Sequence, residues 1–329
     1  MRLALIACIA FMSLLAVSRP VQAQRYGAGV AFPADAASWI NSPPVSVSSL
    51  AGKGVVLQFY EEDCPSCRSA WPGWIADSRK FDGQPVVFIA VNSGNSRNEV
   101  QSYVNRVGIP WPVIVDTDRS LEKACLSTAI SLRNIHQNCI ITADGKLQSA
   151  AGLQDAANSA LRGAAWRVDP KHVPDGLKAA WVAIELGNYS AAASAVKRAL
   201  SSAKADDKAG AEKLNAAIAD AIAKRIADAK TAMSAGNKWQ AYQTYSALLA
   251  DFKGYDPPDE VTAQEAELAE DPDIKQELAA ARQLATARRL ASRRATQRRA
   301  VTILKSIVQE YPQTEAGRRA EEVLAQIGK

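Results

Sequence analysis

The sequence predicts an α/β domain of βαβ units closed by a hairpin, followed by an all-α domain of paired helices. Three observations carry this reading. Short Val- and Ile-rich runs alternate with helical stretches up to about residue 165; Ala, Lys, Arg, Glu and Gln dominate afterwards; and an Ala-x-x-x-Gly-Asn pattern recurs in the second part, its glycines Gly187 and Gly236 lying 49 residues apart. A chain of 329 residues fits two domains better than one. The formal net charge of +5 is too small to indicate nucleic acid or an anionic membrane surface as a partner.

The chain opens with a short basic start, an apolar run and a small-residue end at Val21-Gln22-Ala23. That layout predicts a secretory signal peptide over residues 1–23, with a mature exported chain beginning at Gln24 in the periplasm or another extracytoplasmic space. No later run approaches the roughly 18 apolar residues that a spanning helix needs, so no membrane span is expected in the mature chain. Cys8 leaves with the signal. Cys64, Cys67, Cys125 and Cys139 remain, an even number in a compartment that permits disulfides.

In the first part (24–165), strands are expected at "GVVLQFY" (54–60), "PVVFIAVN" (85–92) and "WPVIVD" (111–116), with a hairpin in "NCIITADGKLQSA" (138–150) turning at Asp144-Gly145. Helices are expected near 65–80, 95–107 and 119–131, which makes the strands parallel and buried. The Cys64-Pro65-Ser66-Cys67 motif then falls just past the carboxyl end of the first strong strand, where a helix begins. Free N–H groups at a helix start stabilise a thiolate, the form that attacks disulfides. Cys64 is therefore the expected nucleophile, its sulfur the more accessible, and Cys67, one step inside, the resolving thiol. Pro65 suits the first helical position. Arg68 adds positive charge, while Glu61, Glu62 and Asp63 oppose an anion.

"WINSPPVSVSSLAGKGVVLQFYEEDCPSC" followed by "VVFIAVNSGNSRNEVQSYVNRVGIPWPVIVDTD" resembles the exported thioredoxin-like proteins of the TlpA and ResA type, from about Trp39 to Gly152. The resemblance rests on the "L.GK.VVL.F" approach, the Cys-x-x-Cys-Arg motif and Pro72 five residues past Cys67. It implies a thioredoxin fold, a central mixed sheet flanked by helices, and exchange with protein thiols and disulfides that calls for no cofactor. Four positions depart from it. Asp63 replaces a tryptophan, Tyr60 replaces another aromatic, Gln58 stands where thioredoxins carry a buried aspartate, and His136 falls where the family's cis-proline is expected. Gln58 cannot do acid-base work. His136 opens a further reading, a Cys64, Cys67 and His136 ligand set suited to copper or zinc. A peroxidase would need threonine at position 61, where Glu61 stands.

Cys125 and Cys139 read as small core residues, with a bridge between them as the alternative. The Pro- and Gly-containing stretch 166–176 reads as a linker. Residues 177–329 resemble degenerate tetratricopeptide-like helical hairpins, including the Tyr-Pro-x-Thr-Glu-Ala turn at 311–316, which implies protein binding or a scaffold role rather than catalysis. Its arginine pairs, 288/289, 293/294 and 298/299, spread around a helix and read as a solvated surface. The favoured function is exported thiol-disulfide oxidoreductase. The alternatives are a catalytically weak interaction module and a copper- or zinc-handling protein.

Overall fold

The computed structural model describes residues 27, 29–131, 134, 137–291 and 294–327; the expected signal peptide and His136 lie outside the described residues. The first part is a six-stranded sheet. Its strands are β1 (Trp39–Ile40), β2 (Gly54–Tyr60), β3 (Val86–Ser93), β4 (Val113–Asp116), β5 (Asn138–Ile141) and β6 (Leu147–Ala150), in the spatial order β1-β4-β3-β2-β5-β6. β2, β3 and β4 run parallel, while β1, β5 and β6 each pair antiparallel with their neighbours. Helices α1 (Pro65–Arg79), α2 (Arg97–Val107), α3 (Ser120–Cys125) and α4 (Leu153–Ala160) flank it. Two parallel βαβ crossovers followed by an antiparallel hairpin next to the first crossover strand define a thioredoxin fold.

β2 is central and buried along its whole length, as a strand covered on both faces must be. It spans the residues expected from sequence. α3 is shorter than expected. Leu126 leaves the helix in an extended conformation, because side chains take over the hydrogen bonds of the next turn: the Glu122 carboxylate accepts the Ile130 N–H at 2.8 Å, and Arg119 donates to the Ile130 carbonyl. β1 and α4 were not expected. α4 packs on β2 so closely that a Cβ on Gly54 would meet the Ala160 carbonyl oxygen at 2.3 Å.

The remainder is helix-rich: α5 (Lys178–Glu185), α6 (Tyr189–Leu200), α7 (Ala205–Ser234), α8 (Lys238–Asp251), α9 (Asp259–Glu270), α10 (Pro272–Ala291), α11 (Gln297–Glu310) and α12 (Glu315–Ile327). Successive helices pack in pairs around two small, alanine-rich cores, one centred on Ile184, Leu214 and Tyr245 and one on Leu284, Leu304 and Ile307. The repeated Gly-Asn turns are the same in their bonding. Gly187 and Gly236 both take the left-handed conformation, and Asn188 and Asn237 each donate back five residues, to the carbonyls of Ala183 and Ala232.

Residues 166–176 lie against both parts. The Trp166 indole donates to the Gly83 carbonyl at 2.9 Å and meets Trp181 edge-on at 5.0 Å. Arg167 donates to the carbonyls of Ser49 and Glu185. Beneath it, Lys53 pairs with Glu185 at 2.9 Å, their side chains 0% and 2% exposed. Burial lowers Lys53 to about 8, against the opposing pull of Glu185.

Candidate active site

The cysteine motif sits where β2 hands over to α1. Cys64 is the N-cap: its backbone is extended, and its sulfur accepts the Cys67 N–H at 3.1 Å. A sulfur here occupies the place of the usual capping oxygen, and it satisfies an orphan donor at the positive end of the helix dipole. The Ser66 hydroxyl and the Cys64 sulfur share a second hydrogen bond at 3.0 Å. Burial alone would raise the Cys64 thiol, but these hydrogen bonds outweigh it and bring the thiol below its usual value. For Cys67 the balance is reversed. Burial, then its hydrogen bond with Cys64, pushes it up to about 12.

The two thiols are thus separated by acidity and not by exposure. Cys64 is 1% exposed and Cys67 0%, which corrects the expectation that the outer sulfur is the more accessible. Pro65 takes the first helical position as expected. Arg68 is exposed and closes the first turn through its backbone N–H, donating to the Cys64 carbonyl at 3.3 Å. Pro72 lies inside α1.

The acidic approach is not a simple repulsive cluster. Glu61 forms an ion pair with Arg119, which also reaches Glu122 at 3.2 Å. Its charge is therefore largely compensated, although it still adds to the upward pressure on Cys67. Arg119, at the start of α3, is 58 residues away in sequence and carried no signal there. Ser66 did, since it stands inside the motif.

Behind the pair lies an aromatic wall. Tyr60 is fully buried, stacks on Tyr103 with centroids 5.5 Å apart and meets Trp71 edge-on at 5.2 Å. Burial, the neighbouring Tyr103 and Glu62 hold the Tyr60 phenol well above its usual range, so it remains protonated beside Cys67. Gln58 is buried opposite Asn138 of β5 and donates to the Phe59 carbonyl at 3.1 Å. Among the described residues, no group of three or more His, Cys, Asp and Glu could hold a metal ion. The Cys64, Cys67 and His136 set includes a residue outside that description. No helix among the described residues is long and apolar enough to cross a membrane.

Residues 31–150 match the model of the AhpC/TSA family. The thiol-disulfide oxidoreductase ResA of Bacillus subtilis is 35% identical over 81 residues, which are 25% of this chain and 45% of that protein. ResA of Halalkalibacterium halodurans is 33% identical over 72 residues, 22% of this chain and 41% of that protein. The chain thus spans under half the length of these curated relatives. Among solved structures, a thiol:disulfide interchange protein of the thioredoxin family from Chlorobium tepidum aligns with a TM-score of 0.34 at 22% identity, covering 41% of this chain and 96% of that one. The family match covers residues 31–150, within the α/β part, and α4 and the helices beyond it lie outside the match.

Proposed function

We propose that this chain is an exported thiol-disulfide oxidoreductase that acts on protein thiols and disulfides through Cys64 and Cys67. The observation that carries the reading is the split acidity of the pair, with the Cys64 sulfur capping α1 and the Cys67 thiol pushed up to about 12. The Cys64 thiolate attacks one sulfur of a substrate disulfide, the other sulfur leaves, and a mixed disulfide forms. Cys67 then loses its proton, attacks the Cys64 sulfur and releases the second substrate thiol. A high Cys67 pKa keeps the resolving step waiting until that proton can leave. The ResA relatives, named as thiol-disulfide oxidoreductases, support the class of reaction. Export rests on the signal-like residues 1–23, the division into domains on the change in character across 166–176, and protein binding by residues 177–329 on their tetratricopeptide-like turns.

A second reading, an interaction module with weak exchange, is favoured by the burial of Cys64 and by Gln58, which offers Cys67 no carboxylate to take its proton. Glu61 at the position of a peroxidase threonine, engaged by Arg119, stands against peroxide chemistry. Equilibrating the full chain with glutathione measures the potential of the Cys64–Cys67 couple: about −120 mV marks an oxidant and about −270 mV a reductant. If the wild type exchanges a protein disulfide no faster than a Cys64→Ser variant does, the oxidoreductase reading falls and the interaction module stands.

A further inference from the structure

Residues 61–63, which lead from β2 into the cap at Cys64, make no backbone–backbone hydrogen bond among the described residues. Glu61 is tethered by its side chain instead, through the ion pair with Arg119. Arg119 is itself a fixed post. It precedes α3 with a left-handed backbone, φ 57°, a conformation that is costly for a residue other than glycine and concentrates at functional sites. Its backbone N–H donates to the Asp116 carbonyl at 3.0 Å, at the end of β4, and the Asp116 carboxylate accepts the N–H groups of Leu121 and Glu122 at 3.1 and 2.8 Å. Its guanidinium reaches Glu122 at 3.2 Å and the Ile130 carbonyl at 3.5 Å. Gly94, with φ 93°, makes room for it: a Cβ there would meet Arg119 Nε at 2.9 Å. The segments that follow β2, β3 and β4 thus converge on one guanidinium, at the sheet edge where the cysteine motif lies.

We propose that Arg119 is a positioning residue of the exchange site: by holding Glu61 it fixes the approach 61–63, and so keeps the Cys64 sulfur on the cap of α1. The inference rests on the reading of Cys64 as the exchanging thiol and names what holds it in place. Arg119 acts through Glu61, three residues before Cys64. A cap depends on position. The sulfur accepts the Cys67 N–H at 3.1 Å, and a drift of the chain before it lengthens that bond and returns the thiol toward its ordinary value. The Glu61 backbone also opposes the rise of the Cys67 thiol, so slack at Glu61 would reach both sulfurs.

Position and charge predict opposite results at Glu61. By charge alone, removing a carboxylate favours a nearby anion, so Glu61→Ala would lower the Cys64 thiol. If the carboxylate is a tether, Glu61→Ala raises it, whereas Glu61→Gln, whose amide oxygen still accepts from Arg119, leaves it in place. Cys67 and Arg68 on α1, Glu62 and Asp63 on the approach, and Tyr103 on α2 are the other ionisable groups around Cys64 among the described residues, and none of the variants alters them.

The test alkylates the reduced full chain with iodoacetamide across a pH series and follows Cys64 by peptide mass and fragment ions. It reads a thiolate and needs no exchange, so failure of the oxidoreductase reading appears separately, as a wild type that does not turn over a protein disulfide. Glu61→Ala and Arg119→Ala should each move the Cys64 midpoint up toward that of a free cysteine, slowing alkylation near neutral pH about three- to tenfold. The double variant should go no further, since both changes act through one contact. Glu61→Gln should stay within about twofold of the wild type. The midpoint is the readout, because a merely loosened site would raise the plateau and leave the midpoint alone. If Arg119→Ala fails to fold because it strands the buried Glu122 carboxylate, Glu61→Ala decides alone, as it leaves the Arg119–Glu122 pair in place. The proposal is overturned if, with native circular dichroism, Glu61→Ala leaves the midpoint unchanged or lowers it. It is equally overturned if Glu61→Gln raises the midpoint as far as Glu61→Ala does, or if a folded Arg119→Ala does not raise it.

Discussion

Cys64 caps the start of α1, whereas Cys125 ends α3, and the contrast between the two thiols follows from that placement. At a helix start the backbone offers unsatisfied N–H groups and the positive end of the dipole. Cys64 takes up one of those N–H groups, and its thiol falls below the ordinary value while that of Cys67, three residues on, rises to about 12. At a helix end the same dipole opposes an anion. Cys125 closes α3 half-buried and packs against the apolar core instead. The same residue type thus caps a helix in one place and packs against the core in another, according to which helix end it occupies.

The largest expected difference is in trapping. Cys67→Ser should leave Cys64 joined to a protein partner in a mixed disulfide that survives non-reducing electrophoresis, and Cys64→Ser should reduce exchange to background. Cys139→Ser should trap no protein partner, because Cys125 ends α3 and has no helix start behind it to favour its thiolate. A trapped protein on Cys125 would erase the contrast.

Next comes the pH dependence of alkylation. Cys64 reacts as the thiolate, whose population grows as pH rises through a pKa held below the ordinary thiol value, so its rate should level off at a lower pH than that of a free cysteine. In a Cys64→Ser variant, which removes the Cys64 share of that rise, burial should still keep Cys67 less reactive than a free cysteine at alkaline pH. A Cys67 rate that levels off near pH 8 would remove the separation on which the exchange cycle depends.

Stability supplies a smaller contrast. Cys139→Ser places a hydroxyl in the apolar core and should cost about 1–3 kcal/mol in denaturant unfolding of the reduced protein. Cys125→Ser, half-buried, should cost under about 1 kcal/mol. The smallest effect expected is that of Glu61→Gln. Removing a charge that is mostly balanced by Arg119 should lower the Cys67 pKa by less than one unit and speed release of a mixed disulfide by less than about tenfold. A larger change would mean that Arg119 does not compensate Glu61.

Much of this was legible in the sequence where the physics is local. The run 54–60 reads as a strand because apolar residues, β-branched and aromatic among them, fill it but for Gln58, and Cys64-Pro65 reads as a cap followed by a first-turn proline because both positions demand those properties. Long-range effects were hidden. The end of α3 is decided by Glu122 and Arg119 reaching to Ile130, and the state of Glu61 by an arginine 58 residues away. Burial of Cys64 was missed for a related reason: periodicity places a residue on a helix end but says nothing of what packs around it. α4 escaped because its alanine-rich pattern resembles that of the helices that follow the sheet.

The buried Lys53–Glu185 pair, with Arg167 and Trp166 folded over it, fixes the direction in which the helices leave the sheet. A flexible tether would let a held partner sample the volume around Cys64, at an effective concentration that falls as the tether lengthens. A stiff joint works as a ruler. On the proposed function, a protein seated on the helices would present its surface to Cys64 at one distance and one angle, and disulfides would be selected by where they lie on the partner rather than by how reactive they are.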